Sequence, residues 1–266
     1  MAVEQGAKPI RFAVLTPNEG STEIIVRPII AEAPIAIEFN GIGYAVMMAT
    51  PIDLQDYAVG FSLSEGLITH PDDILALDTH ISELGWILRI QVPQENAEKV
   101  IARARQRVSE SSCGLCGMDN LEEVMRPLPP VTAQIDVADA AIFAALSALR
   151  SHQTLNANTG SAHAAAFCAP DGAILMTRED VGRHNALDKL IGALANADID
   201  ISEGFIVLTA RCSLELVQKT ILANCPMLLT ISAATDLAIN IAQKSGLRLI
   251  SLARADSALA AMPQND

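Results

Sequence analysis

Residues 205–232 read FIVLTARCSLELVQKTILANCPMLLTIS, and this stretch decides the fold class. Two apolar runs rich in Ile, Leu and Val, at 205–209 and 227–232, predict buried strands. Between them, residues 214–224 carry apolar side chains three and four positions apart, which predicts a helix. Two strands joined through a helix usually pair in parallel by a right-handed crossover, so we expect a layered α/β domain.

The same alternation continues on both sides of this stretch. Residues 162–168 and 173–177 flank the turn Pro170-Asp171-Gly172 and predict a β-hairpin. A helix capped by Asp180, a helix closed by Gly246 and a last strand are predicted at residues 181–194, 236–244 and 247–252. The second half is therefore expected to follow the order ββαβαβαβ, with parallel pairing in a three-layer α/β domain.

The first half of the chain is less regular. Its apolar runs predict strands at 24–37, 44–49 and 86–92, and helices at 54–65 and 97–108. A cluster of prolines at 127–130 indicates a linker. We therefore expect a smaller mixed α+β domain over residues 1–126, ending in a loop with two cysteines, and an α/β domain over residues 131–266.

Composition excludes several classes of protein. The chain has 266 residues with 31 acidic and 18 basic side chains, a formal net charge of −13, and only nine aromatic residues, which argues against a nucleic-acid partner. Half of the residues are apolar, which argues against disorder. The apolar runs are too short or too interrupted to span a membrane, and the N-terminus lacks the apolar run of a signal peptide. We therefore expect a cytoplasmic protein with reduced thiols.

The sequence SSCGLCG at residues 111–117 is the sharpest chemical motif. A helix beginning beside Cys116, and arginines at positions 103, 105 and 107, would favour a thiolate here. A zinc site needs four ligands, but the other cysteines, at 168, 212 and 225, occur singly. A thioredoxin-like pair would follow a strand, whereas a basic helix precedes this one. Sulfur carriage on a persulfide fits the residues as well as redox chemistry does, so both interpretations stay open.

A second motif lies at residues 178–189, REDVGRHNALDK. Gly182 would let a ligand approach the first turn of a helix, whose free amides attract anions, and Arg183 and His184 would add donors. We expect Arg183, His184 and Asp188 on the side of this helix that faces away from the core. An ordinary solvated helix start explains the residues equally well. His163 lies in an apolar strand, where a hydrogen-bonded core histidine is more common than a ligand.

Ser232 begins a short loop of small and hydroxyl residues between a buried strand and a helix. Open α/β sheets bind ligands at such strand ends, although the same residues can serve as an ordinary helix cap. Cys212 and Cys225 lie beside an apolar helix and are expected to be inert core thiols.

Taken together, the motifs resemble the formate dehydrogenase accessory sulfurtransferases, the FdhD family. The segments that carry the resemblance are Ala33-Pro34, Asn40-Gly41, residues 58–66, 113–117, 159–166, 179–189, 215–219 and 232–234. The resemblance implies a cytidine-deaminase-like α/β second domain. It does not imply a deaminase or a bound metal, because His163 is followed by Ala164 and Ala165 instead of the H-x-E signature of the zinc enzymes.

The resemblance also implies a sulfurtransferase. A cysteine desulfurase would pass sulfur to Cys113 as a persulfide, Cys116 would assist, and the sulfur would go to the molybdenum of the bis-molybdopterin guanine dinucleotide cofactor for the formate dehydrogenase apoprotein. That cofactor would bind as a substrate at Gly182, Arg183, His184, Ser232 and Arg254. An alternative is a chaperone that binds the cofactor without moving sulfur.

Two further expectations concern the tail and the oligomer. The family's tail usually carries an aromatic residue, a basic residue and a Gly-Arg pair near the cofactor, whereas residues 252–257 read LARADS and only Arg254 keeps this character. Since the cofactor has two equivalent nucleotide halves around one metal, two pockets related by a two-fold axis would match it. We therefore expect a homodimer.

Overall fold

The computed structural model describes residues 6–17, 23–110 and 127–262, with only the backbone described for 104–110. Cys113 and Cys116 lie outside the described residues. Within the described part, the strands are β1 Ala7–Ala13, β2 Ile24–Ile30, β3 Ala33–Phe39, β4 Ile42–Ala49, β5 Ala76–Ser82, β6 Gly85–Gln91, β7 His163–Cys168, β8 Ile174–Asp180, β9 Phe205–Leu208, β10 Met227–Thr230, β11 Arg248–Ser251 and β12 Leu259–Ala260.

The described residues also form seven α-helices and three 3₁₀ turns. The helices are α1 Leu54–Ser64, α2 Gln94–Glu110, α3 Asp139–Leu149, α4 Thr154–Thr159, α5 Arg183–Asn196, α6 Leu214–Leu222 and α7 Asp236–Lys244, and the turns are Pro71–Asp73, Arg150–His152 and Ile201–Glu203. No helix in these ranges is long and apolar enough to cross a bilayer. The mixed α/β class expected from the sequence is thus confirmed.

The larger sheet has six strands in the order β12-β11-β10-β9-β7-β8. Strands β9, β10 and β11 are parallel, with α6 and α7 as the connections, so the predicted order ββαβαβαβ is confirmed. The antiparallel pairing of β7 with β8 confirms the predicted β-hairpin, whereas β7 also pairs antiparallel with β9, where the sequence analysis expected parallel pairing. The β7–β8 hairpin reverses the chain, and the connection through α5 then passes over β7 to place β9 on its other side.

This sheet is the middle of three layers. On one face, Ala165, Phe167 and Ile206 pack with residues of α5, α6 and α7. The alternate residues Ala166 and Cys168 pack on the other face against α3, which the sequence analysis did not assign. Because successive strand residues point to opposite faces, burial on both sides explains why these strands read as continuous apolar runs.

The smaller sheet has four strands in the order β4-β3-β6-β5. Its β3–β4 hairpin turns at Asn40 and Gly41, whose φ angles of 49° and 80° are those that an Asn-Gly turn supplies. The strand predicted over residues 24–37 is in fact two strands. Its first part, β2, pairs with β1 in a separate two-stranded sheet, and the chain changes sheets after Ala31.

Helices α1 and α5 join the two larger sheets. A Cβ atom on Gly60 would lie 1.7 Å from the carbonyl oxygen of Asp188, and one on Gly192 would lie 1.9 Å from that of Asp56. The two helices therefore touch backbone to backbone, which only glycine allows at these positions. The domain boundaries expected at residues 126 and 131 stay a prediction.

Candidate functional site

The candidate site is one edge of the six-stranded sheet, which we call the carboxyl edge. The carboxyl ends of β8, β9, β10 and β11 meet there, together with the start of the antiparallel strand β7. The predicted residues Gly182, Arg183 and His184 follow β8, Ser232 follows β10 and Arg254 follows β11. His163 begins β7 at the same edge. The topology thus brings together residues that lie up to 91 positions apart in the sequence.

Backbone hydrogen bonds join the loops of the carboxyl edge. The amide of Cys212 donates to the carbonyl of Ala233 over 3.0 Å, and the amide of Thr235 donates to the carbonyl of Cys212 over 3.0 Å. The segment after β11 packs against the loop after β10. The amide of Leu252 donates to the carbonyl of Ser232 over 3.1 Å, and the Arg254 guanidinium donates to the carbonyl of Ile231. Ser232 and Arg254 therefore share one continuous rim.

His184 ties the start of α5 to the start of α6. Its Nε2 lies 2.8 Å from a carboxylate oxygen of Glu215 and 3.4 Å from the hydroxyl of Ser213. The hydrogen bond from His184 lowers the pKa of Glu215. Because this ring nitrogen already contacts Glu215 and Ser213, His184 mainly holds the loop before α5 against the loop before α6.

Gly182 has a different role from the one expected. Its amide donates to Asp180 over 2.7 Å, and a Cβ atom would lie 2.7 Å from the side-chain amide of Asn185. The side chain of Asn185 therefore fills the space beside the Gly182 backbone, and this space is not open to a ligand. Asp180 is not the helix cap, because α5 begins at Arg183 with Gly182 as its N-cap and no capping side chain. The amides of the first turn after Gly182 have no side-chain cap among the described residues, and an anion site at these amides stays a prediction.

Arg183 and His163 lie close together at the edge, and both are partly buried. Burial lowers the pKa of His163, and the positive charge of Arg183 lowers it further. The Nε atom of Arg183 is buried without a hydrogen-bond partner among the described residues. A guanidinium in this condition is suited to an anionic group.

The second half of the 178–189 motif is structural. Lys189 and Asp180 form a fully buried ion pair of 2.7 Å. The Lys189 amine also donates to the carbonyl of Thr50 over 2.8 Å, and the amide of Thr50 donates to Asp180 over 3.0 Å. Asn185 donates to the carbonyl of Met48 over 2.9 Å. Burial lowers the pKa of Lys189, and Asp180 opposes that shift. These contacts join the end of β4 to α5.

Asp188 was expected on the side of α5 away from the core, and this is wrong. Its side chain is 1% exposed and pairs with Lys219, whose amine lies 2.7 and 2.9 Å from the two carboxylate oxygens. Burial raises the pKa of Asp188 and Lys219 opposes that shift. The reason for the error is that α1 covers this side of α5, which no local pattern reveals.

The three cysteines in the described residues are Cys168, Cys212 and Cys225, and all are buried. Removal from water raises the pKa of each thiol to about 12. The expectation that Cys212 and Cys225 lie in the core is confirmed, and their inertness stays a prediction. Two cysteines of the chain, Cys113 and Cys116, therefore remain for thiol chemistry, and both lie outside the described residues.

Arg211 is a site residue that the sequence analysis missed. It lies three residues after the end of β9, is exposed, and precedes Cys212 on the carboxyl edge. The sequence did contain a signal for Arg211: a basic residue shortly after a predicted parallel strand lies at the edge where α/β sheets bind ligands.

A cavity of about 690 Å³ lies at the other end of α5. It is lined by Leu63, Leu194 and Leu222 together with the side chain of Lys219. Leu194 is eleven residues from Arg183, or about 16 Å along the helix axis. Among the described residues, none of those predicted for the site lines this cavity, so the cavity and the carboxyl edge are separate features.

Comparison with known proteins agrees with this architecture. A crystal structure of a formate dehydrogenase accessory protein from Desulfotalea psychrophila superposes with a TM-score of 0.74 at 19% identity, covering 96% of both chains, and so shows the fold. A sulfur carrier protein FdhD of Xanthomonas campestris pv. campestris is 45% identical over 237 residues, 88% of this chain and 84% of its own. The protein of the same name from Variovorax paradoxus is 44% identical over 225 residues, 85% of this chain and 81% of its own. The model of the FdhD/NarQ family matches residues 30–260. The chain therefore belongs to the FdhD/NarQ family.

Proposed function

We propose that this chain is a sulfurtransferase for the molybdenum cofactor of formate dehydrogenase. A cysteine desulfurase donates sulfur to Cys113 as a persulfide, and the chain delivers it to the bis-molybdopterin guanine dinucleotide cofactor, which it binds as a substrate. The names of its relatives support a sulfur carrier in a formate dehydrogenase accessory role. In this proposal the chain works in the cytoplasm.

The observation that carries the proposal is the state of the three described cysteines. Sulfur acceptance needs a thiolate as the nucleophile. With pKa values of about 12, the thiols of Cys168, Cys212 and Cys225 are protonated at neutral pH. Only about one in 10⁵ such thiols is ionised at pH 7. Sulfur carriage therefore falls to the Cys113 and Cys116 pair.

The acceptance step is a thiol–persulfide exchange. The Cys113 thiolate attacks the terminal sulfur of the desulfurase persulfide, a new S–S bond forms to Cys113, and the old S–S bond breaks. The desulfurase cysteine leaves as a thiolate. No oxidant or reductant is consumed in this step.

Delivery requires sulfur at the oxidation level of sulfide, and Cys116 supplies the two electrons. Its thiolate attacks the inner sulfur of Cys113, a Cys113–Cys116 disulfide forms, and the terminal sulfur leaves as hydrosulfide toward the metal. A dithiol reductant then restores both thiols. This gives Cys116 a distinct role: it releases sulfur and is not needed to accept it.

The carboxyl edge suits the nucleotide ends of the cofactor. The uncapped amides at the start of α5 and the unpartnered Nε of Arg183 attract phosphate, while Arg254 and the Ser232 loop lie across the same edge. The chain carries a net charge of −13, so an anionic ligand depends on such a local cluster of donors. A homodimer with two such edges matches the two nucleotide halves of the cofactor.

Mass spectrometry after incubation with a cysteine desulfurase and cysteine tests the transfer. The wild type and Cys116→Ala should gain one sulfur atom, and Cys113→Ala should not. Cys212→Ala is the matched control, and it should gain sulfur as the wild type does. Retention of the adduct in Cys113→Ala with its loss in Cys212→Ala would contradict the assignment. A chain that binds nucleotide but gains no sulfur in any form would instead be a cofactor chaperone.

A further inference from the structure

The cavity at the end of α5 away from the carboxyl edge opens to solvent, and we call it the α5 cavity. Its floor is buried, since Leu194 and Ile191 are 1% and 5% exposed. Its rim is exposed at Asp198 and Asp200. Its volume of about 690 Å³ falls in the ~300–1,000 Å³ range of binding pockets. A partner can therefore bury apolar side chains in it.

The cation in the α5 cavity is already neutralised. Lys219 is the one lysine or arginine among the described residues that line the cavity. Its amine donates to both carboxylate oxygens of Asp188, over 2.7 and 2.9 Å. The cavity thus offers apolar walls and one closed ion pair. An occupant with apolar side chains fits these walls better than an anionic small molecule does.

The rim of the α5 cavity is acidic. Asp198 and Asp200 line it, and Asp72 lies in the 3₁₀ turn beside it; all three are exposed. The carboxyl edge at the other end of α5 carries Arg183 and Arg211 instead. Helix α5 therefore separates a basic edge, which suits the anionic cofactor, from an acidic cavity, which suits a basic partner.

Helix α2 connects the α5 cavity to the sulfur-accepting cysteine. Arg103 donates to the carbonyl of Glu65, whose neighbours in sequence on both sides line the cavity. Helix α2 runs on from Arg103 to Glu110, about 10 Å along its axis. Cys113 follows three residues later, at most ~11 Å of extended chain. A standard interface of about 800 Å² on each partner is about 30 Å across, so one partner can cover the cavity and reach Cys113.

We propose that the α5 cavity is the docking site of the cysteine desulfurase, which inserts an apolar side chain flanked by lysine or arginine. This rests on the proposed function, because it names the surface that receives the sulfur donor. The apolar floor corresponds to the dry centre of an interface, and Asp198 and Asp200 correspond to its polar rim. A few side chains anchored in such a pocket carry most of the binding energy of an interface. Because the donor docks at the acidic end of α5, the carboxyl edge stays open to the cofactor.

Sulfur loading from two donors, read by mass spectrometry, tests the docking site. The first donor is the purified cysteine desulfurase with cysteine, and the second is glutathione persulfide, which needs no docking surface. Ala195→Phe fills the cavity. The double variant Asp198→Asn with Asp200→Asn removes the rim charge, and asparagine tolerates the φ of 55° at position 198 and can still accept the hydrogen bond made at position 200.

Each variant should raise the desulfurase concentration needed for half-maximal loading about tenfold or more. Loading from glutathione persulfide checks that Cys113 still accepts sulfur. Glu83→Gln with Asp136→Asn is the matched control, because both carboxylates are exposed away from the cavity and the charge change is the same. It should load from the desulfurase as the wild type does.

Added salt should raise the half-maximal concentration more for the wild type than for the rim variant, since the rim meets a basic surface. If circular dichroism shows that Ala195→Phe does not fold, the rim variant decides. Variants that load from the desulfurase at the wild-type concentration overturn the inference, and so does a wild type that gains sulfur from glutathione persulfide alone. A wild type that gains sulfur from neither donor contradicts the proposed function instead.

Discussion

Replacing Lys189 by Met should destabilise the chain severely. The Lys189 amine is fully buried, pairs with Asp180 at 2.7 Å and donates to the carbonyl of Thr50 at 2.8 Å. Methionine fills a similar volume but leaves the Asp180 carboxylate buried without its cation. Removing one partner of a buried ion pair costs about 3–5 kcal/mol, a large part of the ~5–15 kcal/mol that holds a typical protein folded.

Urea unfolding at pH 7 measures this loss as a shift in the midpoint at constant slope. The corresponding fall in melting temperature is about 6–20 °C for a chain of this size. The double variant Asp180→Asn with Lys189→Met should recover a substantial part of the stability, because it removes the orphan charge as well. Lys244→Met, at an exposed position at the end of α7, is the control and should change stability by less than about 0.5 kcal/mol.

Two results would refute the reasoning. A loss below about 1 kcal/mol in Lys189→Met would mean that the pair carries no buried charge. If the double variant loses as much free energy of unfolding as the two single variants lose together, Asp180 and Lys189 act independently in spite of their contact.

Three other predictions concern the thiols, the nucleotide site and pH. A thiol reagent should modify two cysteines of the native chain and all five in denaturant; rapid native labelling of a third would contradict the burial of the core thiols. By calorimetry, Arg183→Ala should bind GDP about tenfold more weakly or worse, whereas Arg248→Ala, at the opposite edge of the same sheet, should bind as the wild type does. The lowered pKa of His163 means that its neutral form stabilises the fold above about pH 6.5, and that this stability is lost as pH falls toward the folded pKa. Urea midpoints at pH 7.5 and 5.5 should therefore differ less in His163→Gln than in the wild type; an equal difference in both would remove His163 as the cause.

The second half of the chain was predictable because its strands are buried on both faces and its helices on one. The boundaries of α7 were predicted to the residue, and those of β9, β10 and α6 to within two residues. Strands β1 and β5 escaped prediction for the opposite reason. Their side chains are mostly exposed on both faces, so no period of two is imposed on the sequence by a core. The join between β2 and β3 also lacks a turn signal strong enough to divide one apolar run into two strands.

The carboxyl edge was partly predictable, since ligand sites follow the ends of parallel strands and the motif residues follow β8, β10 and β11. What the sequence could not show is which motif residues face outward. Asp188 and Lys189 are buried because α1 lies on α5 through Gly60 and Gly192. The close approaches join Gly60 to Asp188 and Gly192 to Asp56, which are 128 and 136 positions apart. Charged side chains on a helix are normally solvated, so local reasoning favoured exposure.

Asp180 links the buried and exposed halves of the motif. One of its carboxylate oxygens accepts from Lys189 and Thr50, and the other accepts from the amide of Gly182 and from Asn185. The backbone that places Arg183 at the carboxyl edge is therefore held by the same carboxylate that holds the junction between the two larger sheets. A change at Asp180 would therefore disturb the start of α5 and the junction between the two larger sheets together.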